Sequence, residues 1–244
     1  MNLLAVGLNH RTAPLDLREK LTVDNEQLAP SLNQLSGAVQ QNIIISTCNR
    51  LEIYSYSGDQ DQSYERIVDF LRSKSDLTQT DFNNHLYRLQ GKDCAEHLFR
   101  VSAGLDSMII GERQVLGQVR NAFSVATSEG HSKGPLSRLF HQALRVGRRV
   151  HRETEISKHS RSVSQAAVEL ARGIWGDLSK SKILVIGAGD AGQLVAKALY
   201  DAGVRRATVT NRTQWRAEQL AQELGGVTTP FEELPNPVSY THLR

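Results

Sequence analysis

Cysteine is scarce in this chain. Cys48 and Cys94 are the only two among 244 residues, so disulfides do not organise the fold and a reducing cytoplasm is the expected compartment. Charge of one sign is lacking too. Lys and Arg outnumber Asp and Glu by 29 to 26, a net +3. That is too mild to announce nucleic-acid binding unless the charge clusters locally. No apolar run approaches the roughly 20 residues that cross a bilayer, so no membrane partner is expected. The start, Met1-Asn2-Leu3-Leu4-Ala5-Val6, lacks a basic n-region, and Asn9-His10-Arg11 soon interrupts it, so no signal peptide is expected. There is no internal repeat and no low-complexity segment. No grouping of His, Cys and carboxylates has metal-ligand spacing, so no metal is expected. At 39% hydrophobic and 23% charged residues, the composition is that of a folded globular chain.

What is present reads first as mixed α/β. Residues 3–8, 42–47 and 51–56 are short apolar or alternating runs that predict strands, the second carrying Ile43, Ile44 and Ile45. Helical patterns lie near 12–36, 62–74 and 92–103. From residue 111 the signal is helical, with Leu116, Val119, Phe123 and Ala126 on one face. Gly130 and Gly134-Pro135 break it, and a second helix runs from about Pro135 to Arg152. Its apolar side holds Leu136, Leu139, Phe140, Ala143, Val146 and Val150. Arg138, Arg145, Arg149 and Arg152 fall opposite, Arg148 adds a fifth charge, and no acid follows before Glu153. That face reads either as a solvated surface or as a phosphate-contacting one. Ser162 to Gln165 fits a capping box opening a helix with Val163, Ala166, Ala167, Leu170 and Ile174 on one side. A domain boundary is expected near residues 158–162.

The second domain begins with Lys182-Ile183-Leu184-Val185-Ile186-Gly187, a continuous apolar strand of the type buried in parallel sheets. Helix 191–202, strand 207–210 and helix 213–224 follow, a βαβα series that implies a parallel sheet. Between the first strand and its helix stands Gly187-Ala188-Gly189-Asp190-Ala191-Gly192, the GxGxxG pattern. Here Gly187 permits a tight turn, Gly189 lets backbone approach a pyrophosphate, and Gly192 lets helix and strand pack closely. The helix N-terminus offers unpaired N–H groups to phosphate. After the second strand comes Asn211-Arg212-Thr213 with no acid. Arg212 suits a ribose 2′-phosphate, which favours NADP, although a solvated arginine reads the same way.

Ser46-Thr47-Cys48-Asn49-Arg50 ends an apolar strand, where site residues usually project. Cys48 reads as a nucleophile if a cation, with Arg50 the candidate, favours its thiolate, and otherwise as a small buried apolar residue. Cys94 reads as structural. His97 reads either as a packed histidine or as an acid–base group.

Three segments are similar to the glutamyl-tRNA reductase family: Gly7 to Pro14, Ser46 to Glu52, and Gly104 to Glu112 with Gln114 and Leu116 to Val119. The glycine loop and Asn211-Arg212-Thr213 agree, and the resemblance runs from residue 1 to about 235. It implies an N-terminal mixed α/β catalytic domain (residues 1–158) followed by an incomplete Rossmann-type NADP-binding domain (159–238). It further implies that Cys48 attacks the ester joining glutamate to tRNA, that a thioester forms, and that NADPH reduces it to glutamate-1-semialdehyde, a precursor of tetrapyrroles. By the same resemblance His97 aids catalysis, and Thr47, Asn49, Arg50, Ser107, Glu112, Arg113, Gln114 and Gln118 line the glutamate pocket. Arg50 would meet the substrate carboxylate, and Arg113 stands where the family commonly has proline. Implied partners are glutamyl-tRNA, glutamate-1-semialdehyde aminomutase and a second copy in a homodimer. Residues 239–244 do not resemble the family and are expected to be a foreign tail, with a dimerisation domain absent. Two competing readings are a small-molecule NADP dehydrogenase and a non-catalytic tRNA-binding fragment.

Overall fold

The computed structural model describes residues 2–36, 41–75, 77–157 and 163–234. It divides into two compact units, residues 1–160 and 161–244. The first is built on four antiparallel strands: β1 (Leu3–Asn9), β2 (Asn42–Ser46), β3 (Arg50–Tyr56) and β4 (Tyr87–Gln90), in the order β2-β3-β1-β4. All seven residues of β1 are buried, as expected of a central strand covered on both faces. β4 is an edge strand of four residues with alternating exposure. It is too short to stand out in the sequence, and its pairing with β1 defines it.

The pattern over 12–36 is two helices, not one: α1 (Leu15–Leu21) and α2 (Asn25–Ser36). The break at Thr22–Asp24 has a cause. Thr22 turns extended, and the Val23 amide donates to Ser46 Oγ at the end of β2. Helix α3 (Gln60–Arg72) starts where Asp59 accepts from the amides of Asp61 and Gln62. The short α4 (Gln79–Asn83), not expected from the sequence, is capped by Thr78. Helix α5 (Gly91–Ser102) then returns across β1.

Helix α6 (Gln114–Ser128) buries Leu116, Val119, Phe123 and Ala126, the four residues expected to share a face. Helix α7 (Gly134–Glu153) buries Leu136, Leu139, Phe140 and Ala143, with Leu144 and Gly147 added, while Val146 and Val150 are only half-buried. Its five arginines are all exposed. Phe140 meets Tyr54 of β3 edge-on at 5.4 Å, which fastens α7 over the sheet. At Gly147 a Cβ would lie 2.5 Å from the Ser102 carbonyl and 2.7 Å from Leu116 Cδ1, so glycine sets the spacing of α7 from α5 and α6.

The second unit holds α8 (Val163–Trp175), β5 (Lys182–Ile186), α9 (Asp190–Asp201), β6 (Arg206–Thr210), α10 (Gln214–Leu224) and β7 (Val227–Thr228). The strands form a parallel sheet, β5-β6-β7. Two expectations are corrected here. β5 is not buried on both faces: its apolar residues are half-buried and Ile186 is 62% exposed. Among the described residues no strand pairs its outer edge, and a cavity of about 780 Å³ lined by Trp175, Ile183, Val185, Val195 and Leu199 opens along it. On α8 the expected face is turned outward, with Leu170 and Ile174 exposed and Val168 the buried residue. Ser162 of the capping box, and residues 239–244, lie outside the described residues. No described helix is long and apolar enough to cross a membrane.

Gly147→Ala should cost about 1–3 kcal/mol through overpacking. Gly117→Ala, at an exposed mid-helix position with open space around it, should add about 0.5–1 kcal/mol. Urea unfolding of the two variants checks the contrast, and equal effects would contradict the packing described.

Candidate active site

The site grows from one row of residues across the sheet. Ile45, Glu52, Gly7 and Tyr87 are successive register partners on β2, β3, β1 and β4. A Cβ on Gly7 would sit 2.9 Å from Glu52 Cγ and 2.6 Å from the Leu51 carbonyl. Glycine there leaves the space above β1 open, and the Tyr87 hydroxyl reaches across it to donate to Glu52 Oε1 at 2.5 Å. Glu52 is fully buried. Its carboxylate also accepts from Arg50 Nη1 (2.7 Å), His97 Nε2 (2.9 Å) and the Tyr54 hydroxyl (2.7 Å). Alternation along β3 puts Arg50, Glu52 and Tyr54 on the same face.

Four donors on one buried carboxylate decide its charge. Burial pushes the Glu52 carboxyl up, but Arg50, then His97 and Tyr87, outweigh it, and the group is held well below the usual carboxylate range. Burial works against the Arg50 charge as well, and Glu52, Tyr87 and Asp106 overcome it and hold the guanidinium protonated. Burial and the Glu52 charge push both tyrosines well above their ordinary value. An ionised carboxylate only accepts, so the His97 proton shared with it sits on Nε2. Nδ1 is then the ring atom left for proton transfer.

Arg50 and Asp106 gather the three segments of the family resemblance. Arg50 Nη1 donates to Asp106 Oδ2 at 3.1 Å and Nη2 to the Asp106 carbonyl. The other Asp106 oxygen takes Arg11 Nη1 at 3.0 Å. Arg11 is mostly exposed, whereas Arg50 is 2% exposed. The guanidinium expected beside the thiol, and expected to meet a substrate carboxylate, is therefore already engaged by two acids. An incoming carboxylate would share it with, or displace, Asp106.

Cys48 is exposed, on the three-residue loop between β2 and β3. The loop is tightly specified. Thr47 Oγ1 accepts from the amides of Asn49 and Arg50, and the His10 amide donates to the Asn49 carbonyl. From α1, Arg18 reaches over with Nη1 to the Cys48 carbonyl (2.5 Å) and Asn49 Oδ1 (3.3 Å), while its Nε holds the Ala13 carbonyl. Cys94 is the opposite case: burial and the Glu52 charge push its thiol up to about 12, which keeps it neutral and inert.

The other expected pocket residues sit on the 104–113 loop and the first turns of α6. Ser107 is buried beside Asp106, Glu112, Gln114 and Gln118 are half-buried, and Arg113 is exposed. Burial pushes the Glu112 carboxyl up. His97 joins Arg50 through Glu52. The sequence reading assigned no role to Glu52, Asp106, Tyr87, Arg11 or Arg18. Arg11, Glu52 and Asp106 stand inside the resembling segments, which was the available signal. Tyr87 and Arg18 carried none.

In the second unit the glycine loop follows β5 and opens α9. Gly187 has φ of +97°, and a Cβ on Gly192 would lie 2.1 Å from the Gly187 carbonyl oxygen, so neither position admits a side chain. Gly189 caps α9 without a side chain, leaving its amides open. Asn211 Oδ1 accepts from the Ala188 amide at 3.2 Å, and Asn211 Nδ2 donates to the Thr213 carbonyl. Asn211 thus spans the loop and the end of β6. Arg212 and Thr213 are exposed, as is Ala191, and Asp190 is the first residue of α9. The loop fits a pyrophosphate.

These features define a class: an α/β domain presenting an exposed strand-end thiol, followed in sequence by the opening of a dehydrogenase-type Rossmann-like domain. Residues 6–154 match the family model for the glutamyl-tRNAGlu reductase N-terminal domain, and residues 169–243 match that of shikimate/quinate 5-dehydrogenase. Glutamyl-tRNA reductase of Priestia megaterium is 42% identical over 241 residues, 98% of this chain and 54% of the relative. That of Carboxydothermus hydrogenoformans is 43% identical over 236 residues, 96% and 53%. The structure of glutamyl-tRNA reductase from Methanopyrus kandleri superposes with a TM-score of 0.61 at 33% identity, over 98% of this chain and 56% of that one. The chain belongs to the glutamyl-tRNA reductase family, and it spans about half the length of these relatives.

Two outcomes follow. Iodoacetamide on the folded chain should label Cys48 and leave Cys94 unmodified by mass spectrometry; labelling of both would contradict the burial. The depressed Glu52 pKa contributes stability that is fully present above the ordinary glutamate value of 4.5 and is lost as pH falls below it. Glu52→Gln should cost about 3–5 kcal/mol at neutral pH. In urea unfolding the gap to the parent should narrow below pH 4.5.

Proposed function

We propose that residues 1–158 carry out acyl transfer from glutamyl-tRNA to Cys48, and that residues 159–238 bind the NADPH that completes the reduction to glutamate-1-semialdehyde. The observation that carries the reading is the exposed Cys48 on a loop pinned by Thr47, His10 and Arg18, beside a buried cation network. The Cys48 sulfur attacks the ester carbonyl, the bond to the tRNA ribose oxygen breaks, and the tRNA leaves as an alcohol after gaining a proton. A thioester remains on Cys48. Dividing the reduction into two steps is the gain from covalent catalysis.

His97, oriented by Glu52 through Nε2, presents Nδ1 for a proton. The carboxylate-held imidazole follows the orienting logic of hydrolase triads. Arg50 and Arg11, with Asp106 between them, supply positive charge for the substrate carboxylate. Thr47, Asn49, Ser107, Glu112, Arg113, Gln114 and Gln118 shape the rest of the pocket. Gly187 to Gly192 and α9 would hold the pyrophosphate, with Asn211, Arg212 and Thr213 at the adenosine ribose. NADPH held there would supply the hydride that reduces the thioester, and Cys48 would return to its thiolate as the C–S bond breaks and the aldehyde leaves. On this reading the product enters tetrapyrrole synthesis in the cytoplasm. The partners are glutamyl-tRNA, a second copy of the chain and the aminomutase that consumes the aldehyde.

The test is mass spectrometry after mixing the chain with glutamyl-tRNA in the absence of NADPH. A glutamyl adduct on Cys48, absent from Cys48→Ser, is expected. No adduct, or an adduct that survives the substitution, would overturn the reading.

A further inference from the structure

We infer that the exposed arginine stripe of α7 is an RNA-phosphate docking surface, which seats the tRNA body while its acylated end reaches Cys48. This rests on the reading of tRNA as the carrier of the glutamyl group. At about 100° per residue, Arg138, Arg145, Arg148, Arg149 and Arg152 fall within an arc of roughly 100° on the helix. Along the axis they extend about 21 Å at 1.5 Å per residue. All five are exposed, and His141, also exposed, lies within the same arc.

Helix stability does not account for this pattern. Cations are favoured near a helix C-terminus, and there Arg149 and Arg152 pair with Glu153 at 2.8 Å. These pairs are solvent-exposed and weak, so phosphate can compete for both arginines. Arg138, Arg145 and Arg148 have no such explanation. No acid lies in the first turn of α7, and Lys133 adds a cation at its N-cap, the end where a positive charge is disfavoured. Neighbours three and four residues apart along the stripe repel one another. A surface that retains this repulsion is suited to an anionic partner.

The identity of that partner is narrowed by packing. A basic amphipathic helix can lie on an anionic membrane only if its apolar face is free. In α7 that face is spent on the core, with Leu136, Phe140 and Ala143 fully buried. The stripe holds arginines and a histidine with no aromatic ring other than imidazole, which fits backbone contact without base stacking. Its placement also fits. The inner face of α7 rests through Phe140 on Tyr54, which donates to Glu52 within the candidate site. A strand of phosphates along the outer face would therefore lie over the same domain that presents Cys48.

The test compares the parent chain with Arg138→Gln/Arg145→Gln/Arg148→Gln, using an uncharged glutamate-accepting tRNA and fluorescence anisotropy at 50–200 mM salt. Three lost phosphate contacts should flatten the slope of log K against log salt by about 2–3 units. That removes on the order of 40-fold of the affinity loss across the salt range. The Arg→Lys triple variant should keep the slope. Labelling of Cys48 by iodoacetamide should be unchanged in both variants. Cys48→Ser should bind tRNA like the parent, so loss of the acyl-transfer reading would leave this one standing. If the glutamine variant does not fold, phenylglyoxal modification of the parent decides: tRNA should protect Arg138, Arg145 and Arg148. An unchanged slope, or no protection, would overturn the inference. So would loss of binding to polyglutamate with tRNA binding intact, which would assign the stripe to an acidic protein.

Discussion

A single buried carboxylate organises the first unit. Glu52 sits at the centre of a four-stranded sheet, out of reach of water, and accepts from Arg50, Tyr54, Tyr87 and His97. A buried charge is tolerated only when it is paired and hydrogen-bonded on all sides. That condition fixes the rotamers of four side chains, two from its own strand, one from β4 and one from α5. Gly7 makes the arrangement possible by clearing the space over β1. The cost of one residue out of place is high, since each donor removed leaves one hydrogen bond of a buried charge unmade.

The proposed function rests on what this centre holds in place. The carboxylate fixes the tautomer of His97, with the proton on Nε2. Through Arg50 it ties β3 to the 104–113 loop at Asp106, and Asp106 in turn takes Arg11 from the loop after β1. Three segments far apart in sequence thereby close around the Cys48 loop. Arg18 pins that loop from outside by donating to the Cys48 backbone carbonyl. The cation nearest Cys48 in sequence is thus a structural anchor first. Any carboxylate it recognises must compete with the acids that already hold it.

Much of the architecture was legible in the sequence, for local reasons. The run Ile43-Ile44-Ile45 could only be a short buried strand, and the GxGxxG loop carries its strand–turn–helix context on either side. The faces of α6 and α7 followed from spacing alone. What stayed hidden depends on pairing between distant segments. Tyr87 meets Glu52 only because β4 and β3 both pair with β1, and no spacing rule connects residues 35 apart across a third strand. The break between α1 and α2 comes from Ser46 taking the Val23 amide. The half-buried state of β5 depends on the absence of a neighbouring strand among the described residues, although its composition is that of a strand buried on both faces.

The order of the site depends on the charge of Glu52. Carbon-13 NMR of the side-chain carboxyls, titrated from pH 8 to pH 3, reads that charge directly. The resonance of Glu52 should stay in its ionised position throughout, below the ordinary glutamate value of 4.5. An inflection for Glu52 in the ordinary range would mean that the four donors do not hold it. The ordered site around Cys48 would then have no anchor.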